Sequence, residues 1–349
     1  MSRLVKLLPM AVVMTIALSG AAYGGEKEKW ESYKSAFLSR DGRIVDFHQD
    51  SCSHSEGQGY GLLLAVAFGD REAFDRMWAW TKSNLRVRTD GLFAWKWGKR
   101  LDGRWEIIDH NNATDGDLLI ALALLKAADK WGSQAYAKEA LPIVQSIRKN
   151  LVANWQGRLL LLPSYYGFIK KETLVFNPSY LILPAFRAFA KVDDKTYWDK
   201  VWGDSAHFIS QSLFGLYGLP ADWALATEKG VKLHSEKSVY FGYDAIRVLL
   251  HLAGEGGAEA YPKGVREALR LYGQLGYVPT WLDLDRDAIA MSSATAGVYA
   301  IYGLTAKRVG QTALAEKLFK EADEKLSKEK ENYYSFSLYL LVASEAFFK

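Results

Sequence analysis

Four acids stand where a small or polar cluster gives way to an apolar run. Glu56 lies in Ser55-Glu56-Gly57-Gln58-Gly59-Tyr60-Gly61, directly before Leu62-Leu63-Leu64-Ala65-Val66-Ala67-Phe68. Asp115 and Asp117 lie in Ala113-Thr114-Asp115-Gly116-Asp117, and Asp244 ends Phe241-Gly242-Tyr243-Asp244. A carboxyl group withdrawn from water has its pKa raised and becomes able to donate a proton. Hydrolysis of a glycosidic bond needs two carboxyl groups in unlike environments, one protonated and one ionised. They stand roughly 6.5–9.5 Å apart if the second activates water, and about 5–5.5 Å apart if it attacks the sugar. The glycines beside Glu56 are expected to leave room for a ligand to approach.

Each acid also has a plainer reading. Glu56 suits the positive end of a helix. Asp115 or Asp117 could cap the helix that follows. Asp244 and Arg247 have i,i+3 spacing, the spacing of a helical ion pair, and such a pair is compatible with the ionised carboxylate a base requires.

The elements that must position these acids are helical. Apolar residues recur at three- and four-residue spacing over residues 117–130, 136–150, 181–192, 245–252, 295–309, 314–328 and 335–348. Strand-like alternation is brief, over 92–97 and 159–162. Six polar starts precede very apolar runs: those at 55, 113, 177, 241, 292 and 332. Between them lie amphipathic stretches such as 71–85 and 136–149. A helix apolar all round is buried, and an amphipathic one faces water on one side. The alternation predicts an all-α fold, six inner helices wrapped by six outer ones, with the polar starts gathered around one cleft.

Aromatic residues, 13% of the chain with 12 Trp and 19 Tyr, exceed what a core requires. Residues 93–97 are expected to extend with Trp95 and Trp97 on one side. Trp105, Tyr165, Tyr166, Trp223, Tyr333 and Tyr334 fall in loops or at helix starts, where flat rings can stack on sugars.

Residues 1–24 read as a secretory leader: Arg3 and Lys6, an apolar stretch, then Ala22-Tyr23-Gly24. Residues 25–349 are expected to form one exported domain without membrane insertion, because the apolar stretch is too short to span a bilayer comfortably. Losing Arg3 and Lys6 takes the formal charge from +4 to +2, with basic residues scattered, which gives no argument for nucleic acid, and none is expected as a partner. The single Cys52 allows no internal disulfide and no Cys-rich metal site.

Taken in order, Ser55 to Gly61, Ala113-Thr114-Asp115-Gly116-Asp117-Leu118 and Tyr243-Asp244-Ala245-Ile246-Arg247-Val248 resemble glycoside hydrolase family 8. The segments at 93–98, 109–112, 177–180 and 220–223 support the likeness, which runs from about residue 30 onward. The chain departs from the family's common pattern at Leu249 and His251. The resemblance implies an (α/α)6 barrel and an inverting β-1,4-glucanase that needs no metal or other cofactor. It makes Glu56 the general acid, Asp244 the base and Asp115 the residue holding the distorted sugar. Tyr180 and Arg247 would position the water and the base. Trp95, Tyr243, Asp117, Tyr333 and Tyr334 are the further substrate-binding candidates. Within the family the likeness is to periplasmic endoglucanases encoded with bacterial cellulose synthase. That implies a periplasmic or secreted enzyme trimming glucan beside the cellulose export machinery. Chitosan or xylan as substrate, or a non-catalytic glucan-binding role, are the alternatives.

Overall fold

The computed structural model describes residues 17–329 and 331–348. The leader expected at residues 1–24 lies outside the described residues through position 16, and its remainder begins the first helix. Twelve α-helices occur among the described residues: α1 (Ala17–Phe37), α2 (Ser55–Phe68), α3 (Arg71–Asn84), α4 (Thr114–Trp131), α5 (Gln134–Asn150), α6 (Leu183–Phe189), α7 (Lys195–Gln211), α8 (Ile246–Leu252), α9 (Val265–Leu275), α10 (Ala296–Arg308), α11 (Thr312–Leu326) and α12 (Tyr333–Ala343).

The expected alternation of buried and amphipathic helices is present. In α4 every residue from Thr114 to Leu125 is buried, and in α12 nearly all are. In α11 the buried residues are Ala315, Leu318, Ala322 and Leu326, a single stripe. Contacts follow the same division: α2 packs on α4, α4 on α6, α6 on α8, α8 on α10, α10 on α12, and α12 again on α2. Outside these, α3 packs on α2, α5 on α4, α7 on α6, α11 on α10, and α1 on α12. The outer helices return the chain, so the inner helices start at a common end.

Glycines set how closely the starts of α2 and α4 meet. A Cβ on Gly116 would lie 2.1 Å from Ser55 Oγ, and one on Gly59 would lie 2.5 Å from Leu119 Cβ. Gly61 likewise faces Met77 and Ile44. These glycines therefore admit neighbouring protein, and the expectation that they leave room for a ligand is corrected.

The strands are more numerous than the sequence pattern suggests. β1 (Ser53–His54), β2 (Lys96–Lys99) and β3 (Trp105–Asp109) form an antiparallel sheet leading into α2. Residues 169–170, 173–176, 224–227 and 230–233 form a second, four-stranded antiparallel sheet that was not anticipated. Strands this short offer too few alternating positions to stand out in sequence. The helix expected over 181–192 is the shorter α6, because a 3-10 turn at Pro178–Tyr180 precedes it and Pro184 occupies its first turn.

Candidate active site

Glu56 sits in the first turn of α2, whose N-terminus is capped by the preceding residue. His54 Nδ1 accepts the backbone N–H of Gly57 at 3.2 Å. Asp115 sits in the first turn of α4. The cap position there is Ala113, which has no side-chain acceptor, so neither Asp115 nor Asp117 is an N-cap. Asp115 Oδ1 takes the N–H of Gly116 at 2.8 Å. Asp244 lies just before α8, with Arg247 in that helix's first turn.

These three acids converge on one cation. Arg247, 4% exposed, places Nη1 against Glu56 Oε1 and 3.3 Å from Asp115 Oδ2, and Nη2 2.6 Å from Asp244 Oδ1. Nη1 also reaches the hydroxyl of Tyr60 at 3.3 Å, and the guanidinium lies 5.7 Å from the Tyr180 ring centre. The predicted Asp244–Arg247 pair is thus present and shared with two further carboxyl groups. Burial alone would lower the Arg247 pKa, but the surrounding phenols and carboxylates raise it well above the ordinary value, so it stays a cation. Burial, and next the charge of Glu56, push the Asp115 carboxyl up to about 7.

The cavity here has a volume of about 250 Å³, with Glu56, Asp115, Tyr180, Tyr243, Asp244, Arg247, Tyr333 and Tyr334 in its wall together with Asp46, Gln49 and His54. Tyr180 also belongs to an adjoining cavity of about 260 Å³, lined by Trp95, Asp109, Asn111, Asn112, Ala113, Pro163, Ser164, Phe168 and Trp223. The two cavities make an extended groove with aromatic walls. A larger cavity of about 900 Å³ opens elsewhere, beside the C-terminal turns of α2 and α4, and holds none of the three acids.

Tyr243 is half exposed at the groove, and its carbonyl accepts the Tyr334 hydroxyl at 2.6 Å. Tyr333 is buried, edge-on to His54 with centroids 5.4 Å apart, and its hydroxyl has no hydrogen-bond partner among the described residues. Asp117 is the exception among the candidates. It is fully buried, absent from the groove wall, and occupied by the Phe93 N–H at 2.9 Å and Asn112 Nδ2 at 2.7 Å. The substrate-binding expectation for Asp117 is corrected: it fastens the segment leading to Trp95. Burial pushes its carboxyl up to about 8.

Trp95 and Trp97 also part company. Opposite Lys96 and Trp97 the partner strand carries one extra residue, Ile108. Trp95 faces the groove, while Trp97 stacks on Trp105 with the Arg43 guanidinium about 5 Å from both rings. Trp223 reaches the groove and stacks on Phe168.

Three residues escaped the sequence reading. His54 immediately precedes the Glu56 heptapeptide, and its Nε2 lies 3.4 Å from Asp46. Asp222 binds the backbone around Asp244. A capping acceptor before an apolar run could have pointed to His54; nothing local marks Asp46, and the segment 220–223 gave no role to Asp222. Among the described residues, no group of three or more His, Cys, Asp or Glu is placed to hold a metal ion.

Three acids on separate helix starts, converging in an aromatic groove, give proton donor and acceptor positions for breaking a bond between sugars. The profile of "Glycosyl hydrolases family 8" matches residues 2–346. The chain belongs to this family and is a glycoside hydrolase. It is 36% identical over 297 residues to an endoglucanase of Cellulomonas uda, covering 85% of this chain and 82% of that one. In structure it is similar to endoglucanase Cel10 of Klebsiella pneumoniae, with a TM-score of 0.79, 34% identity, and coverage of 91% of this chain and 99% of that one. It is likewise similar to the endo-β-1,4-glucanase CMCax of Acetobacter xylinum, with a TM-score of 0.79, 30% identity, and coverage of 92% and 98%.

Proposed function

We propose that the chain is an endo-β-1,4-glucanase in which Glu56 protonates the leaving oxygen and Asp244 activates the attacking water, inverting the anomeric centre. The observation that carries this reading is the junction of Glu56 and Asp244 at opposite nitrogens of one guanidinium. A hydrolase of this kind needs two carboxyl groups, one on each side of the sugar, and Arg247 meets these two from its two terminal nitrogens. Asp115, beside them, is placed to hold the sugar hydroxyls at the cleavage point. Tyr180 borders both cavities and would orient the water, with Arg247 steadying Asp244. Trp95 and Trp223 on one side of Tyr180, and Tyr243, Tyr333 and Tyr334 on the other, would take the glucan to either side of the broken bond. Names of similar proteins, endoglucanase and endo-β-1,4-glucanase, support this substrate class.

In this reading the helix contacts represent an (α/α)6 barrel spanning one catalytic domain of residues 25–349. The leader-like residues 1–24 support export to the periplasm, where the enzyme would trim glucan during cellulose synthesis beside the export machinery. No described helix is long and apolar enough to cross a membrane. Release of reducing ends from carboxymethylcellulose tests the reading. Activity no higher than that of a folded Glu56→Gln control would overturn it.

A further inference from the structure

Asp222 touches none of the groups assigned to bond cleavage, yet its carboxyl group holds the backbone that carries Asp244. It is 8% exposed. Its Oδ1 accepts three backbone N–H groups: Gly242 at 3.1 Å, Asp244 at 3.1 Å and Ala245 at 2.8 Å. Its Oδ2 accepts the Ser238 hydroxyl at 2.9 Å. Its own N–H donates to the Tyr240 carbonyl at 2.8 Å, a second clasp between the two segments. The start of α8 has no side-chain cap of its own. Asp222 therefore supplies, from twenty or more positions earlier in the chain, the acceptor for the backbone that leads into α8.

Gly242 is shaped to this contact. A Cβ there would stand 2.7 Å from Asp222 Oδ2, and a carboxyl group held by four donors has little freedom to swing aside. The charge at Asp222 also has a cost. Burial, and next the nearby Asp244, push its pKa up to about 6. A neutral residue would relieve that repulsion but would lose the strength of hydrogen bonds to an anion.

We propose that Asp222 is a positioning residue for Asp244: by gathering the N–H groups on both sides of Asp244, it fixes the direction from which that carboxylate meets the water. The inference rests on Asp244 being the base. An anchor that served stability alone would hold the turn without setting turnover.

The two roles separate in kinetics on a soluble cello-oligosaccharide. Asp222→Ala should lower kcat by about 10²-fold, the effect of a displacement near 1 Å in a reacting group. KM should change far less than kcat, because Tyr243 alone of the groove aromatics lies on the segment that Asp222 holds. Asp222→Asn keeps an acceptor at Oδ1 and should restore most of kcat. In an Asp244→Asn background, Asp222→Ala should cause little further loss, since residues acting as a unit are not additive. Gly242→Ala should reproduce the kcat loss and decides the matter if Asp222→Ala does not fold. Full kcat in Gly242→Ala and Asp222→Ala, or equal losses in kcat and KM without rescue by Asn, would overturn the inference. Wild-type protein without activity on any glucan would instead overturn the assignment of Asp244.

Discussion

Arg247 stands between Glu56 and Asp244, its Nη1 on the first and its Nη2 2.6 Å from Oδ1 of the second. In the proposed roles Glu56 must leave Arg247 and take up a proton from solvent before it can protonate the glycosidic oxygen. Asp244 can keep its partner, because a base acts in the ionised form.

Glu56→Gln and Asp244→Asn should each lower kcat on carboxymethylcellulose by about 10²–10⁴-fold, the span of positioned acid–base catalysis. Circular dichroism should show both variants folded. Turnover of either variant at the wild-type rate would remove that residue from its role.

The first product should carry the α configuration at its new reducing end, since water attacks the face opposite the leaving group. Proton NMR during the first minutes of cello-oligosaccharide hydrolysis reads the anomer before mutarotation. A β anomer would make Asp244 a nucleophile.

Asp117→Ala should destabilise the fold. It leaves the Phe93 N–H and the Asn112 amide without their acceptor, at a cost of about 1–3 kcal/mol for each buried donor. The folded-state pKa of Asp117 is raised, so its stabilisation is full below the ordinary carboxylate range and fades as pH rises through about 8. The gap in thermal midpoint between wild type and Asp117→Ala should therefore narrow from pH 5 to pH 9. A gap constant across that range would count against the buried acid.

His251→Phe should protect against acid. His251 is buried edge-on to Phe347, neither ring nitrogen has a hydrogen-bond partner among the described residues, and burial with the Arg247 charge lowers its pKa from 6.5 to about 3. The stability that depends on its neutral form is present above pH 6.5 and is lost as pH falls toward 3. The limiting slope is about 1.4 kcal/mol per pH unit. Phe fills the site without a proton to gain. Melting curves of the two proteins that stay parallel from pH 7 to pH 4 would refute this.

The inner helices α2, α4, α10 and α12 were legible because each offers seven or more apolar residues after a polar start, and α3, α5 and α11 because each carries a stripe. The spans of α7 and α9 were not read from the sequence. The acids Glu56, Asp115 and Asp244 were legible through the same starts. Three-dimensional partners were not. Asp117 has the spacing of a groove residue, but only the folded position of Phe93 shows that its carboxyl group is already occupied. Trp97 packs on Trp105 and the Arg43 guanidinium, contacts that no alternation pattern records. Asp222 was hidden for a different reason: its importance lies in N–H groups some twenty positions away, and backbone donors have no signature in side-chain identity.

The glycine contacts between α2 and α4 bear on when the acids are ordered. With Gly116 against the Ser55 side chain and Gly59 against Leu119, Glu56 and Asp115 stand on helix starts that pack closely on each other. The conformational entropy lost in bringing these two acids together is surrendered once, as the chain folds, and not again at each turnover. What substrate must still order is small: the side chain of Glu56 as it leaves Arg247, and the sugar itself.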